Sequence, residues 1–154
     1  MAADEPLDRS TAVFLDTCLV IAATVEAHPG HRAAVRVIDD LISRATQLCI
    51  SPQICREFLV VLTRQPVSER AFSIAEAVAA LEVWTNGCIV IDETDEVMLE
   101  CLRLVERHRV LGKQIHDCNV VATMLVHGVP RLATRNPADF KRFHAEVAVL
   151  SVTD

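Results

Sequence analysis

AVFLDTCLVIAATVE, residues 12–26, decides the fold. Its first five positions, AVFLD, are a continuous apolar run that ends on an acid, and a stretch of helical character starts at once from Thr17. A run that is apolar throughout, rather than at alternate positions, reads as a strand covered on both faces, the usual state in a parallel sheet.

The same signature recurs outward along the chain. Short apolar runs stand at LCIS (48–51), CIVI (88–91), RLAT (131–134) and VAVL (147–150), and segments of helical period separate them at 17–26, 31–46, 52–64, 69–86, 95–109, 114–127 and 137–143. No segment repeats another. The pattern predicts an α/β fold, a three-layer α/β/α sandwich around a central, mainly parallel sheet. Ser51-Pro52 supplies an N-cap and a first-turn proline for the helix over 52–64, Asn136-Pro137 does the same for 137–143, and Gly112 and Gly128 mark breaks.

Length and composition fit that reading. At 154 residues and 17.0 kDa the chain makes one domain, 1–154, with 1–10 expected as a loose N-terminal tail. Hydrophobic residues make up 51% of it, against 4 glycines and 6 prolines, which excludes a linker-rich or disordered protein. With 21 acids and 15 bases the formal charge is −6, so nucleic acid is not held on a general basic surface and any contact with it is local.

The cysteines at 18, 49, 55, 88, 101 and 118 form no CxxC pair and read as small core hydrophobes. His28 and His31 in HPGH have no matching pair to complete a zinc site. MAADEPLDR at the N-terminus is acidic and lacks an apolar signal core, and the longest apolar run, Thr17 to Val25, is half a membrane span. A soluble, cytoplasmic protein without a membrane partner is expected. The glycines at 30, 87, 112 and 128 write neither GxGxxG nor GxxxxGK[ST], and no GxSxG elbow exists, so ATP, NAD and a covalent serine mechanism are poor fits.

Ligands of open parallel sheets bind beyond the carboxyl ends of the strands, and acids there come first. Asp117, on the helix over 114–127, falls within the apolar stripe of Val120, Val121 and Met124, where a charge needs a cation or a donor. Its alternative is to cap a helix that starts only at Cys118. Glu57 lies at the edge of the Ile54, Phe58, Val61 and Leu62 face and reads as a site residue or a boundary residue. Asp16 closes the first strand, and Asn136 and Asp139 follow RLAT in TRNPADF; all three also have capping or first-turn readings. Three carboxylates and an Asn at one sheet edge stay ionised together only if a cation shares the site, and an all-oxygen set suits Mg²⁺ or Mn²⁺. Such a site serves phosphate chemistry.

VFLDTCLVIAA (13–23), HPGH, SPQICREFLVVLTR (51–64), QIHDCNVVATMLVHGV (114–129) and RLATRNPADF (131–140) together resemble the PIN-domain nucleases, most closely the VapC-type toxins of toxin–antitoxin pairs. The resemblance spans nearly the whole chain. It implies a ribonuclease that cuts RNA by Mg²⁺- or Mn²⁺-activated water. In it Asp16 and Asp117 would be direct ligands, Glu57 a ligand or the base that orients the water, and Asn136 with Asp139 outer support or a second ion's site. It further implies a homodimer and a small antitoxin partner. Cys18 stands where the family commonly has Asn, and Asn136 where it has an acid, which removes a charge from the quartet. Thr17 reads as a hydrogen-bond partner for the site or as a plain helix start. The rival class is a PIN-like binding module that docks RNA or protein without cutting.

Lower-ranked features complete the reading. IDETDE (91–96) is the N-terminal turn of the helix over 95–109, with Asp92 an outside candidate for the site. His116 neighbours Asp117 in sequence but points about 100° away from it on a helix. Lys113 and Arg135 flank the proposed ligands, either as RNA-phosphate contacts or as solvated surface charge.

Overall fold

The structure, a computed structural model, describes residues 9–64 and 71–153. Five strands, β1 (Val13–Leu15), β2 (Leu48–Ile50), β3 (Ile89–Val90), β4 (Arg131–Thr134) and β5 (Ala148–Ser151), form one wholly parallel sheet in the order β3-β2-β1-β4-β5. Each strand end lies within one residue of its apolar run. Val13, Phe14 and Leu15 are all fully buried, and because successive strand residues face opposite ways, both faces of the sheet are covered.

Six α-helices supply the cover among the described residues: α1 (Thr17–Thr24), α2 (His31–Ser43), α3 (Pro52–Arg64), α4 (Ile74–Gly87), α5 (Asp95–His108) and α6 (Gln114–His127). α1 packs on α2 and α3, and α3 on α4; α5 packs on α6, and α6 on a 3-10 helix, Pro137–Phe143. Phe14, Phe58, Met124, Leu132, Phe140 and Phe143 are among the large side chains that fill the core between these layers.

Most helix boundaries match expectation, with physical reasons for the departures. α2 stops at Ser43 rather than 46 because the chain turns through Ala45, whose φ is +55°. α4 starts at Ile74, where Ser73 and Glu76 form a reciprocal capping box; the start expected at 69 lies outside the described residues, as do residues 1–8 of the expected tail. The segment over 137–143 is 3-10 rather than α. Gly128 ends α6 at φ +68°, a conformation a side chain disfavours.

Two expected caps are corrected. Ser51 Oγ is buried and has no hydrogen-bond partner among the described residues; the acceptor at the start of α3 is instead Glu93, whose Oε1 receives the Gln53 N–H at 2.5 Å. Asn136 precedes the 3-10 helix, but its side chain makes no capping bond.

The strand order places the site. From β1 the chain builds outward through β2 to β3, then crosses to the other side of β1 for β4 and β5. The winding therefore reverses between β1 and β4, which is where open α/β sheets hold ligands. Asp16 leaves β1 at that crevice, and Asn136 follows β4 beside it.

Candidate active site

Asp16 is fixed by donors from α1 and from β4, on either side of the crevice. Its Oδ1 accepts the Thr17 N–H at 2.8 Å, so the residue caps α1 and faces the site at once. Its Oδ2 accepts the Thr134 hydroxyl at 2.6 Å and the Cys18 thiol at 3.0 Å. Cys18 thus keeps a donor on Asp16, while its own Sγ accepts the Arg135 N–H at 3.3 Å. Burial and the nearby charge of Asp16 push the thiol up to about 12, so it stays protonated at neutral pH. Burial raises Asp16 itself, and the three hydrogen bonds work against that rise.

Glu57 is gripped from two sides. The Thr17 hydroxyl donates to its Oε2 at 2.5 Å, and Gln53, one turn earlier on α3, donates Nε2 to its Oε1 at 2.7 Å. The same Nε2 donates to the backbone oxygen of His116 at 3.0 Å, and Gln53 Oε1 accepts from Asn119 Nδ2 at 2.7 Å. Of the two readings for Thr17, then, both hold.

Asp117 lies three residues inside α6, which begins at Gln114, so the capping alternative with a start at Cys118 is excluded. Val120, Val121 and Met124 beside it are buried. The Asp117 carboxylate takes no hydrogen bond from any described residue. Burial first, then the charges of Asp139, Asp16 and Glu57, push it up to about 6, and His116 alone pulls the other way. The carboxylates expected to share a site do feel one another. Asn136 and Asp139 are exposed at its rim.

Four carboxylates with one neighbouring histidine make an all-oxygen site short of positive charge, and that donor set fits a hard divalent cation. They do not close into a ligand shell: among the described residues no group of three or more His, Cys, Asp or Glu stands ready to hold a metal. The geometry accounts for this, since Asp16 and Glu57 are turned onto donors of the chain itself and Asp139 points to solvent.

Other candidates make contacts within the chain or lie at its surface. The Arg135 guanidinium lies over Gly30, where it fills the space an added Cβ would need, and Nη1 reaches the Val152 oxygen at 3.5 Å. His28 Nδ1 accepts the Gly30 N–H, and His31 Nδ1 sits 2.9 Å from the Ala22 oxygen. In IDETDE, Thr94 caps α5 while Asp95 and Glu96 fill its first turn. The backbone oxygen of Asp92 meets His127 Nε2 at 2.8 Å. His116 and Lys113 are exposed. Sequence reasoning missed Thr134, Asn119 and Glu93 because each acts on a residue far away in the chain, and Gln53 because, although one turn from Glu57, its amide is aimed by partners on α6; only the presence of an amide on the core side of α3 was a readable signal.

Comparison with known proteins bears on most of the chain. The PIN domain family model matches residues 13–146. Among solved structures, VapBC2 from Rickettsia felis, bound to a DNA fragment from its promoter, superposes with a TM-score of 0.70 at 15% identity, over 92% of this chain and 99% of that one. VapBC-1 from nontypeable Haemophilus influenzae gives 0.67 at 17%, over 93% and 99%. VapC20 from Mycobacterium tuberculosis, a toxin that cleaves the sarcin–ricin loop, gives 0.65 at 18%, over 89% and 97%. No curated protein sequence matches the chain.

Proposed function

The chain belongs to the PIN domain family, and from that premise we propose that it is a VapC-like, Mg²⁺- or Mn²⁺-dependent endoribonuclease. The observation that carries the reading is Asp117: a carboxylate on an apolar helix face, without a donor among the described residues, pushed up to about 6 by burial and by three other acids at the sheet's switch point. A place in the first turn of α6 suits an acid, but it gives no reason for four carboxylates to gather on a half-buried face. A shared cation does.

Asp16, Glu57 and Asp117 would hold the ion, with Asp139 and Asn136 at its outer side. A bound Mg²⁺ or Mn²⁺ supplies a water of lowered pKa and offsets charge on the phosphate. The chain's own residues do the positioning. Thr17 and Gln53 fix both oxygens of Glu57, which leaves each a lone pair to orient a water, and Thr134 and Cys18 occupy Oδ2 of Asp16 so that Oδ1 is its freer oxygen. Hydrolysis breaks one P–O bond of the RNA backbone, with the water oxygen joining phosphorus and a proton passing to the leaving oxygen.

The solved relatives include toxin–antitoxin complexes, and we extend that to a small cognate antitoxin and a homodimer here. Exposed Met98, Leu99 and Leu102 on α5 and Val60, Ile74 and Val83 on α3 and α4 offer apolar surface for such contacts. Among the described residues no helix is long and apolar enough to cross a membrane, and a cytoplasmic setting accords with an RNA substrate.

A binding module is the second reading, favoured by one observation: among the described residues the carboxylates do not close into a ligand shell, in keeping with Asn136 standing where the resemblance implies an acid. Incubation of the protein with RNA and Mn²⁺, repeated with chelator and with Asp16→Asn and Asp117→Asn, separates the two. The nuclease reading expects metal-dependent cutting that falls at least about 100-fold in either variant. Cutting that survives chelation, or binding of RNA without cutting, overturns it.

A further inference from the structure

We propose that Gln53 is a positioning residue for the carboxylate site, held in its working orientation by Asn119. The inference rests on the metal-site reading above. It concerns how Glu57 and Asp117 are kept apart and aimed, which that reading leaves open.

Gln53 is only 6% exposed, and its amide makes three hydrogen bonds: Nε2 to Glu57 Oε1 at 2.7 Å, Nε2 to the His116 oxygen at 3.0 Å, and Oε1 from Asn119 Nδ2 at 2.7 Å. Only one orientation of the amide satisfies them. Flipped, its oxygen would face a carboxylate and a carbonyl while its NH₂ faced the NH₂ of Asn119, and all three bonds would become repulsions. Glu57 and the His116 carbonyl, which can only accept, set which end of the amide meets Glu57, and Asn119 holds the other end in place.

The backbone of Gln53 is fixed as firmly. Its N–H meets Glu93 Oε1 at 2.5 Å, and Glu93 Oε2 is paired with Arg56 at 3.0 Å. Gln53 is thus anchored at main chain and side chain, and its one amide spans α3, where Glu57 lies, and the first turn of α6, where Asp117 follows His116. Those carboxylates repel each other, since Glu57 helps to raise Asp117. Without the amide, Glu57 is free to rotate away and the first turn of α6 loses its tie to α3. With it, the pair keeps its spacing before any cation arrives. A group that orients a metal ligand from outside the coordination sphere typically accounts for 10- to 100-fold in metal affinity.

The test measures Mn²⁺-induced stabilisation by thermal melting in wild type, Gln53→Met and the double variant Gln53→Met/Asn119→Leu, with RNA cleavage as a second readout. In Gln53→Met the Mn²⁺ concentration for half-maximal stabilisation should rise by roughly tenfold or more. The double variant removes the stranded Asn119 amide, so its metal-free melting temperature should recover while its Mn²⁺ midpoint stays high. Should Gln53→Met not fold, Asn119→Ala, which unlocks the amide without removing it, is read for the same rise. A midpoint equal to wild type, or one that recovers together with the melting temperature, overturns the proposal and leaves Gln53 a packing residue. A wild type that ignores Mn²⁺ overturns the metal-site reading first and this inference with it, so the two failures are told apart by the wild-type curve.

Discussion

Thr17 donates its hydroxyl to Glu57 Oε2 at 2.5 Å while its backbone N–H is bound to Asp16. One residue thereby holds two like charges at a set separation. Thr17 is 8% exposed, so water cannot easily replace a lost bond.

Thr17→Val, which keeps the shape and removes the hydroxyl, should cost about 1–2 kcal/mol of stability. Thr17→Ser should recover most of it. Urea denaturation of the three proteins checks both, and equal midpoints for Val and wild type would show that the Thr17–Glu57 bond contributes nothing net.

The raised pKa of Asp117 sets the pH dependence of the metal-free protein. Its ordinary value is 3.8 and its folded value about 6, so the native state keeps the proton longer than the unfolded chain does. Stability from this source is fully present below about pH 4 and is lost as pH rises through about 6. Asp16 is shifted the same way and adds to the loss. Because Asp117 is half-buried, screening limits its share to about 1–2 kcal/mol. Asp117→Asn should flatten the profile and stabilise the metal-free protein near neutral pH, and saturating Mn²⁺ should flatten the wild type. Denaturant midpoints across that range decide it; a wild type that gains stability between pH 4 and pH 6 to the same extent as the variant contradicts the assignment.

Asn136→Asp should sharpen the response to metal. The Asn136 side chain is exposed and makes no capping bond, so the substitution adds a charge at the rim with little structural cost. The Mg²⁺ needed for half-maximal thermal stabilisation should fall by roughly two- to tenfold, as expected when a hard-cation site gains a carboxylate. An unchanged titration places Asn136 outside the reach of the ion.

Thr134→Val should destabilise by about 1–3 kcal/mol, because Thr134 is fully buried and its hydroxyl both donates to Asp16 and accepts the Asn136 N–H at 3.0 Å. Thr134→Ser retains both bonds and should lie close to wild type. Thermal melts of the pair, with wild type, give the answer.

What the sequence made legible was what is local in the chain. AVFLD, LCIS and RLAT are strands because continuous apolar runs can be buried on both faces, and Asp117 stood out because a charge interrupts a 3.6-residue apolar period. Ser51 misled because Ser before Pro has the composition of a cap, yet the side chain is turned into the core and Glu93, 40 residues from Gln53, takes over. Gln53 and Asn119 are 66 residues apart, and Thr134 and Asp16 are 118 apart. No periodicity or spacing rule reaches across such separations; only the strand order brings these residues together. Arg135 shows the same limit, since nothing in TRNPADF says that its guanidinium will lie on Gly30.

The adjacency of β1 and β4 also sets a schedule. Synthesis delivers Asp16, Glu57 and Asp117 well before Thr134, yet β1 is flanked on one side only until β4 slots in beside it with Phe14 opposite Leu132. A nascent chain that has emerged as far as α6 therefore carries every carboxylate except Asp139, but has neither the second wall of the crevice nor the hydroxyl that aims Asp16. Pairings of such long range close late and slowly compared with local ones. The interval between translating β1 and seating β4 is one in which the chain exists but the crevice that would hold its carboxylates does not.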